Sequence, residues 1–337
     1  MNPNLINLFL LAEEQNNSKR DAFGRFLFKD SKIRDISKAY VSREFLKTGQ
    51  LKPVQWPDGK NFAICLTHDI DKISPGKRER IKIFLESIKN RSIKLKNFYW
   101  NFDQIIQIEK SYKANSTFFL MASKGPDKRY DIATLKKVIH SLEKDNFEIG
   151  LHGDFFSTTQ IKYMSEEKKA LSKFLNETLY GIRQHFLKIE IPLTFENQII
   201  SDFKYDSTLG YPDQIGFKNG MAHPFYIKIK KLDKQILEIP LAIMDATFQT
   251  NKNNYLTDQK KIWTEIKDIL DEVIAVNGCV SILWHNDRFS EDLYPGGAKM
   301  YENILAYCSE KNAWLTSCKN VFEHIHKTKP TLPTIDF

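Results

Sequence analysis

Residues Phe62–Asp71 read FAICLTHDID. Phe62, Ala63, Ile64, Cys65 and Leu66 form a short apolar run, the pattern of a strand buried on both faces, as in a parallel sheet. Thr67, His68, Asp69, Ile70 and Asp71 follow at once, so three ionisable groups close the strand. On an extended backbone Asp69 and Asp71 point to the same side. Two carboxylates at the C-terminal mouth of a buried strand can divide labour, one binding a metal and the other taking a proton. The same residues also fit a polar strand-end loop in which Asp69 or Asp71 caps the next helix.

On either side of this stretch, strand and helix patterns alternate. Arg78–Tyr112 is helical and charged, and Ala114–Met121 (ANSTFFLM) has the β-branched and aromatic content of a second strand. Ile132–Asp145 is an amphipathic helix, and Phe147–Leu151 runs as a third strand straight into His152. A helix is expected over Ser165–Thr178, opened by Ser165 with Glu166 and Glu167 in its first turn. Short strands are expected at Tyr180–Arg183, Phe203–Tyr205, Gln235–Met244 and Cys279–Trp284, with a helix over Thr257–Val276 before the last. Ala298–Lys311 reads as a closing helix and Trp314–Ser317 as a final strand. This order predicts a parallel α/β sheet or barrel. In a barrel the strand ends meet on one face, which would bring Asp69, Asp71, His152, Arg183, His185 and His285 together.

Residues 1–58 read as an N-terminal helical extension, with helical periodicity in Leu5–Gln15 and Ile36–Leu46 and a Pro-punctuated link from Pro53 to Gly59. The barrel is expected over 59–326 and a C-terminal tail over 327–337.

Composition narrows the class. Fourteen Gly and twelve Pro in 337 residues are too few for a low-complexity chain. The net charge of +8 is a modest bias, densest over Lys72–Lys96, which reads as a solvated helix face or as a contact for an anionic substrate or membrane surface. No stacking-aromatic pattern beside it favours nucleic acid. There is no Gly-rich phosphate loop. Cys65, Cys279, Cys308 and Cys318 lack metal-type pairing and read as reduced core residues of a cytoplasmic protein. The apolar run Leu5–Ala12 has no basic region before it and Glu13 and Glu14 directly after, the pattern of a short amphipathic helix and not of a signal peptide. With no stretch of membrane-spanning length, a soluble protein at most peripheral to a membrane is expected.

Six motifs occur in a fixed order: Thr67–Asp71 (THDID), Ser116–Phe119 (STFF), Glu148–Gly153 (EIGLHG), Gly181–Arg183 (GIR), Phe203–Thr208 (FKYDST) and Leu283–His285 (LWH). In that order they resemble the NodB-homology polysaccharide deacetylases of the carbohydrate esterase four superfamily, over about residues 60 to 320. The resemblance implies a distorted (β/α) barrel holding a divalent metal, usually zinc, that removes acetyl groups from N-acetylated sugars. By the same resemblance Asp69 is the general base, Asp71 and His152 are metal ligands, Arg183 orients the base and His285 is the general acid. A carboxylate should hold His285 in its active tautomer, with Asp206 and Asp245 as candidates. The absence of an export signal points to a cytoplasmic substrate such as a nucleotide- or lipid-linked acetamido sugar. A deformylase sharing the site and a catalytically inactive glycan-binding barrel are the alternatives.

The motif pattern breaks in one place. The family usually carries a second histidine four residues after the first, where this chain has Phe156, whose phenyl ring cannot bind a metal. The family's arginine is usually followed two residues on by proline, and here that position is His185. On a strand His185 would face the same side as Arg183, so it is expected to replace the missing ligand, giving an Asp71/His152/His185 site with an open position for water. Among the other candidates, His68 either supports the site from behind its ligands, faces the substrate or is packed in the core, and His223 is either a cleft-lining residue or an alternative ligand. Trp284 alternates to the face opposite His285, and Tyr211, Phe225 and Tyr294 are candidate sugar-stacking rings or packing residues.

Overall fold

The computed structural model describes residues 2–76, 80, 97–251, 254–256 and 258–337. Most of the helix expected over Arg78–Tyr112, and with it most of the basic stretch Lys72–Lys96, lies outside the described residues; within that span Phe102–Ser111 is helical.

The strands are β1 (Phe62–Ile70), β2 (Thr117–Leu120), β3 (Glu148–Gly153), β4 (Gly181–Gln184), β5 (Tyr205–Asp206), β6 (Phe225–Ile229), β7 (Lys234–Glu238), β8 (Leu241–Met244), β9 (Gln249–Asn251), β10 (Asn254–Tyr255), β11 (Cys279–Leu283), β12 (Ala313–Thr316) and β13 (Thr334–Asp336). β9 and β10 form a separate ribbon. The main sheet runs β13-β6-β7-β5-β4-β3-β2-β1-β11-β8, with β12 also on β1. Its pairs are parallel except β6 with β7. β12 lies beside Phe62–Cys65 while β2 lies beside Thr67–Ile70, so two strands meet end to end along one flank of β1. The result is a distorted (β/α) barrel, the fold that the motif resemblance implies and one of the two forms that strand-helix alternation allows.

β1 is buried along its whole length. Its even-numbered side chains Ile64, Leu66 and Ile70 join Phe118, Ile149, Leu151 and Ile182 in the core under the helices, including Phe102–Ser111 and Gly297–Glu310. The odd-numbered Ala63 and Cys65 join Phe119, Tyr205, Cys279 and Cys318 in a second core that fills the barrel lumen. Each large apolar side chain moved from water into these layers is worth about 1.5–3 kcal/mol, which accounts for strands written as unbroken apolar runs.

Several boundaries differ from expectation. Residues 327–337 are not a free tail: β13 pairs with β6 in parallel register, because Ile335 has a buried slot while its neighbours face out. Phe9, Val41 and Phe45 from the N-terminal segment belong to the main core, and Arg43 reaches Glu272 at 2.6 Å. The segment is therefore packed into the barrel. The strand expected over Gln235–Met244 divides into β7 and β8 at Pro240, which has no N–H for a ladder. The helix expected from Ser165 begins at Ile161, which places Glu167 inside it and buried. Among the described residues no helix is long and apolar enough to cross a membrane.

Candidate active site

Period-two alternation stacks polar side chains up the lumen above the Cys65, Cys279 and Cys318 layer. At mid-height lies Arg183, completely buried on β4. Its Nε donates to Ser207 O at 2.7 Å and its Nη2 to Ser207 Oγ at 2.9 Å and Ser281 Oγ at 3.2 Å. Its Nη1 donates to Thr67 Oγ1 at 2.6 Å and Asp69 Oδ1 at 3.2 Å. The Phe119 ring lies 4.6 Å from the guanidinium carbon. Glycine makes room for the rings of this layer: a Cβ on Gly150 would lie 2.5 Å from Phe119, and one on Gly181 would lie 1.9 Å from Tyr205. A charge so enclosed is tolerable only because each donor has a partner, and one partner is the Asp69 carboxylate.

Above Asp69, at the barrel mouth, the ligating atoms of Asp71, His152 and His185 all lie within 4.8 Å of one another. His152 Nδ1 bonds the carbonyl of Arg183 at 3.0 Å, and His185 Nδ1 bonds Asp127 Oδ2 at 2.9 Å. Both bonds place the ring proton on Nδ1 and leave Nε2 with a lone pair, the tautomer a metal requires. Nε2 of His152 is 3.2 Å, and that of His185 3.7 Å, from Asp71 Oδ1. That oxygen is buried with no hydrogen-bond partner, so the trio fits a divalent cation held by two imidazoles and a carboxylate. Burial raises the Asp71 pKa, but His185, His152 and His285 outweigh it and hold the carboxyl well below the usual range. Burial would likewise depress His152, and Asp69 and Asp71 raise it instead.

His285 follows β11 directly. Its backbone N–H donates to Asp245 Oδ2 at 2.6 Å and its Nδ1 to Oδ1 at 2.7 Å, leaving Nε2 3.8 Å from Asp71 Oδ2. Burial alone would lower its pKa, but Asp245, then Asp71 and Asp69, push it up to about 10. Of the two carboxylates considered as its partner, Asp245 holds it. Asp206 is occupied elsewhere, accepting from Gln198 Nε2 at 2.8 Å and Thr208 Oγ1 at 2.6 Å.

Three of the other candidates lie away from this mouth. His68 alternates to the outer face of β1, where its ring bonds Glu109 Oε1 at 2.8 Å and Trp284 O at 2.6 Å; it is a packed histidine and faces no substrate. His223 bonds Ser42 Oγ at 3.0 Å, and its neighbour Ala222 takes the N–H of Cys279 at the start of β11, the end of the barrel opposite the mouth. Burial drives its pKa down to about 4, so it is a neutral core residue. Trp284 is buried beside Tyr301 and Phe248. Phe225 and Tyr211 are also buried, whereas Tyr294 lines the site cavity. Phe156 packs near Phe155 and Tyr163.

The structure adds Asp127, Ser207 and Ser281 to the residues singled out from sequence. Asp127 sits in the loop after β2, where no strand-end position marks it; Ser207 lay within a recognised motif, next to Asp206, without a role. Over the whole group opens a cavity of about 410 Å³, whose walls include Asp69, Asp71, His185, His285, Lys72 and Arg288. That volume suits a small-molecule site.

No protein-family model and no curated protein matches the chain. Solved structures do. A Mycobacterium smegmatis protein assigned as a polysaccharide deacetylase aligns at 19% identity with TM-score 0.59, covering 83% of this chain and 95% of its own. A Pseudomonas aeruginosa PAO1 protein similarly assigned aligns at 14% identity with TM-score 0.59, covering 82% and 94%. A PuuE allantoinase aligns at 16% identity with TM-score 0.61, covering 89% and 99%. At such identities the likeness speaks to architecture, and the chain has the fold of the NodB-type polysaccharide deacetylases, carbohydrate esterase family four.

Proposed function

We propose that this protein is a metal-dependent hydrolase that removes the N-acetyl group from an amino sugar or glycan intermediate. The observation that carries this reading is the convergence of Asp71, His152 and His185 within 4.8 Å, beside a carboxylate held by Arg183 and an imidazole held by Asp245. A divalent cation held by the trio, zinc by its donor set, would polarise the amide carbonyl and lower the pKa of a water from 15.7 towards about 7. Asp69 keeps Oδ1 on Arg183, so its Oδ2 is the oxygen that takes the proton of the attacking water. Arg183 aims that carboxylate through its hydrogen bond to Oδ1. The amide C–N bond breaks as the leaving nitrogen takes a proton from His285 Nε2, and Asp245 stabilises the imidazolium beforehand. Acetate and a free amine result.

Lys72 and Arg288 stand on the cavity wall among the site's carboxylates, and their charges suit a phosphate-bearing acetamido sugar, nucleotide- or lipid-linked. The fold also houses a protein named as an allantoinase, so the assay must read the product acid itself.

Zinc content and release of acetate against formate from matched N-acyl sugars, in wild type, His185→Ala and Asp69→Asn, test the proposal. We expect zinc and acetate release in wild type and loss of both in His185→Ala. Asp69→Asn should keep its zinc while its rate falls about a hundred- to ten-thousandfold. Formate as the sole product would move the activity to deformylation. Full zinc occupancy and turnover in His185→Ala would remove His185 from the site. Sugar binding without metal or hydrolysis would make the protein a glycan-binding barrel.

A further inference from the structure

The turn that carries His185 is held from outside the barrel. Phe186 and Leu187, directly after it, have φ of 62° and 54°, a left-handed conformation that side-chain-bearing residues adopt only when their surroundings impose it. The surroundings here come from the N-terminal segment. Asp21 Oδ1 accepts the backbone N–H groups of Phe23 and Arg25, both at 2.9 Å, folding residues 21–25 into a closed turn. Asp21 Oδ2 then fixes the Arg25 guanidinium through Nε at 2.9 Å and Nη2 at 2.7 Å. The remaining Nη1 crosses to the carbonyl of Phe186 at 3.0 Å, a contact between residues 161 apart in sequence. Beside it the Phe23 ring stacks on the Phe186 ring, centroids 4.4 Å apart and planes 23° from parallel. The Phe186 ring stacks in turn on the His185 imidazole at 3.7 Å. Arg25 also lines the cavity over the site.

We infer that Phe23 and Arg25 are positioning residues for His185, so the N-terminal segment is a working part of the metal site. The inference rests on the proposal that Asp71, His152 and His185 hold a divalent cation. A histidine on a strand end is oriented by its ladder; His185 lies just past β4, in a short helical turn, and has no such support. Two restraints replace the ladder. Asp127 fixes the ring's Nδ1, and the Asp21–Arg25–Phe186 bridge with the Phe23 stack fixes the backbone that presents the ring. Both are needed to point Nε2 at Asp71.

Zinc affinity of the metal-stripped full-length protein, measured by competition with a chromophoric chelator, tests this alongside its apo melting temperature. The variants are Arg25→Ala, Arg25→Lys, Phe23→Ala and His185→Ala. We expect Arg25→Ala and Phe23→Ala to bind zinc about tenfold more weakly than wild type with apo melting nearly unchanged, and Arg25→Lys, which can still donate to the Phe186 carbonyl, to recover most of the loss. The sign is diagnostic. Removing a cation from the cavity would by itself favour zinc, so weaker binding in Arg25→Ala must come from geometry. Wild-type affinity in Arg25→Ala and Phe23→Ala, with affinity lost in His185→Ala, overturns the inference and leaves the metal site standing. Equal losses in Arg25→Ala and Arg25→Lys, or losses that track a collapse in apo melting in both Arg25→Ala and Phe23→Ala, also overturn it. Should Arg25→Ala alone fail to fold, Phe23→Ala decides, because it trims only an exposed ring. Absence of zinc binding in wild type removes the metal proposal and this inference together.

Discussion

A histidine that delivers a proton near neutrality must keep it until the leaving group needs it. In the proposed reaction Asp245 would do this for His285: it holds the residue through two hydrogen bonds, at 2.6 and 2.7 Å, and pushes the imidazole pKa up to about 10 against the effect of burial. In Asp245→Asn the charge is gone while the shape remains, so the His285 pKa should fall and the alkaline limb of the kcat/KM profile should move to lower pH. An unchanged limb would show that another group sets it. At this scale the sequence was legible wherever a residue ends a strand. Asp69, Asp71, His152, Arg183 and His285 could be seen to converge because parallel strands deliver their ends to one mouth. Choosing Asp245 over Asp206 was not legible, since both stand at the C-terminal ends of short strands and only the sheet order places β8 beside β11 and β5 away from it. Asp127 left no trace, because loop geometry brings it to His185.

At the scale of elements, lumen packing decides which residues β4 can carry. Gly181 and Arg183 face the same side, and the space that a Cβ on Gly181 would need is filled by the Tyr205 ring. Gly181→Ala should cost about 1–3 kcal/mol in denaturant unfolding and lower kcat through the displaced Arg183 two residues on. Unaltered stability would mean that the Tyr205 ring can move aside. Glycine in EIGLHG and GIR was read from sequence as motif spelling; the physical reason, a ring across the lumen, needs strand register to be seen. β6 escaped notice for a related reason: FYIKI alternates buried and half-buried residues and pairs antiparallel with β7, unlike the apolar runs at the centre. The N-terminal helices were visible through their periodicity, but short amphipathic helices do not name the surface they cover.

For the molecule as a whole, the barrel floor sets a pH response separate from catalysis. Burial raises the pKa of Glu148 to about 7, against hydrogen bonds from Thr117 at 2.6 Å, Tyr205 at 2.6 Å and the backbone of Lys319 at 2.7 Å. The folded protein then binds a proton that the unfolded chain has released, so this site contributes stability below about pH 4.5 that is lost as pH rises through about 7. Glu148→Gln, which abolishes the charge while its amide oxygen can still accept from Thr117 and Lys319 and its amide nitrogen can donate to the Tyr205 oxygen, should flatten that slope in metal-free unfolding at pH 5 and 8, by roughly 3 kcal/mol at most. An identical slope in the variant would assign the response to other groups. Among the described residues the sheet is open, with β8 at one margin and β13 at the other. Outside the ladder, the Leu241 N–H of β8 donates to Leu209 O and the Ala242 carbonyl accepts from Gly216 N. β13 is three residues long and follows Pro333. An unclosed barrel would ordinarily offer two templates on which a neighbouring molecule could add a strand; here one is already bonded to its own loops and the other is too short to recruit one, which guards the fold against sheet-to-sheet aggregation.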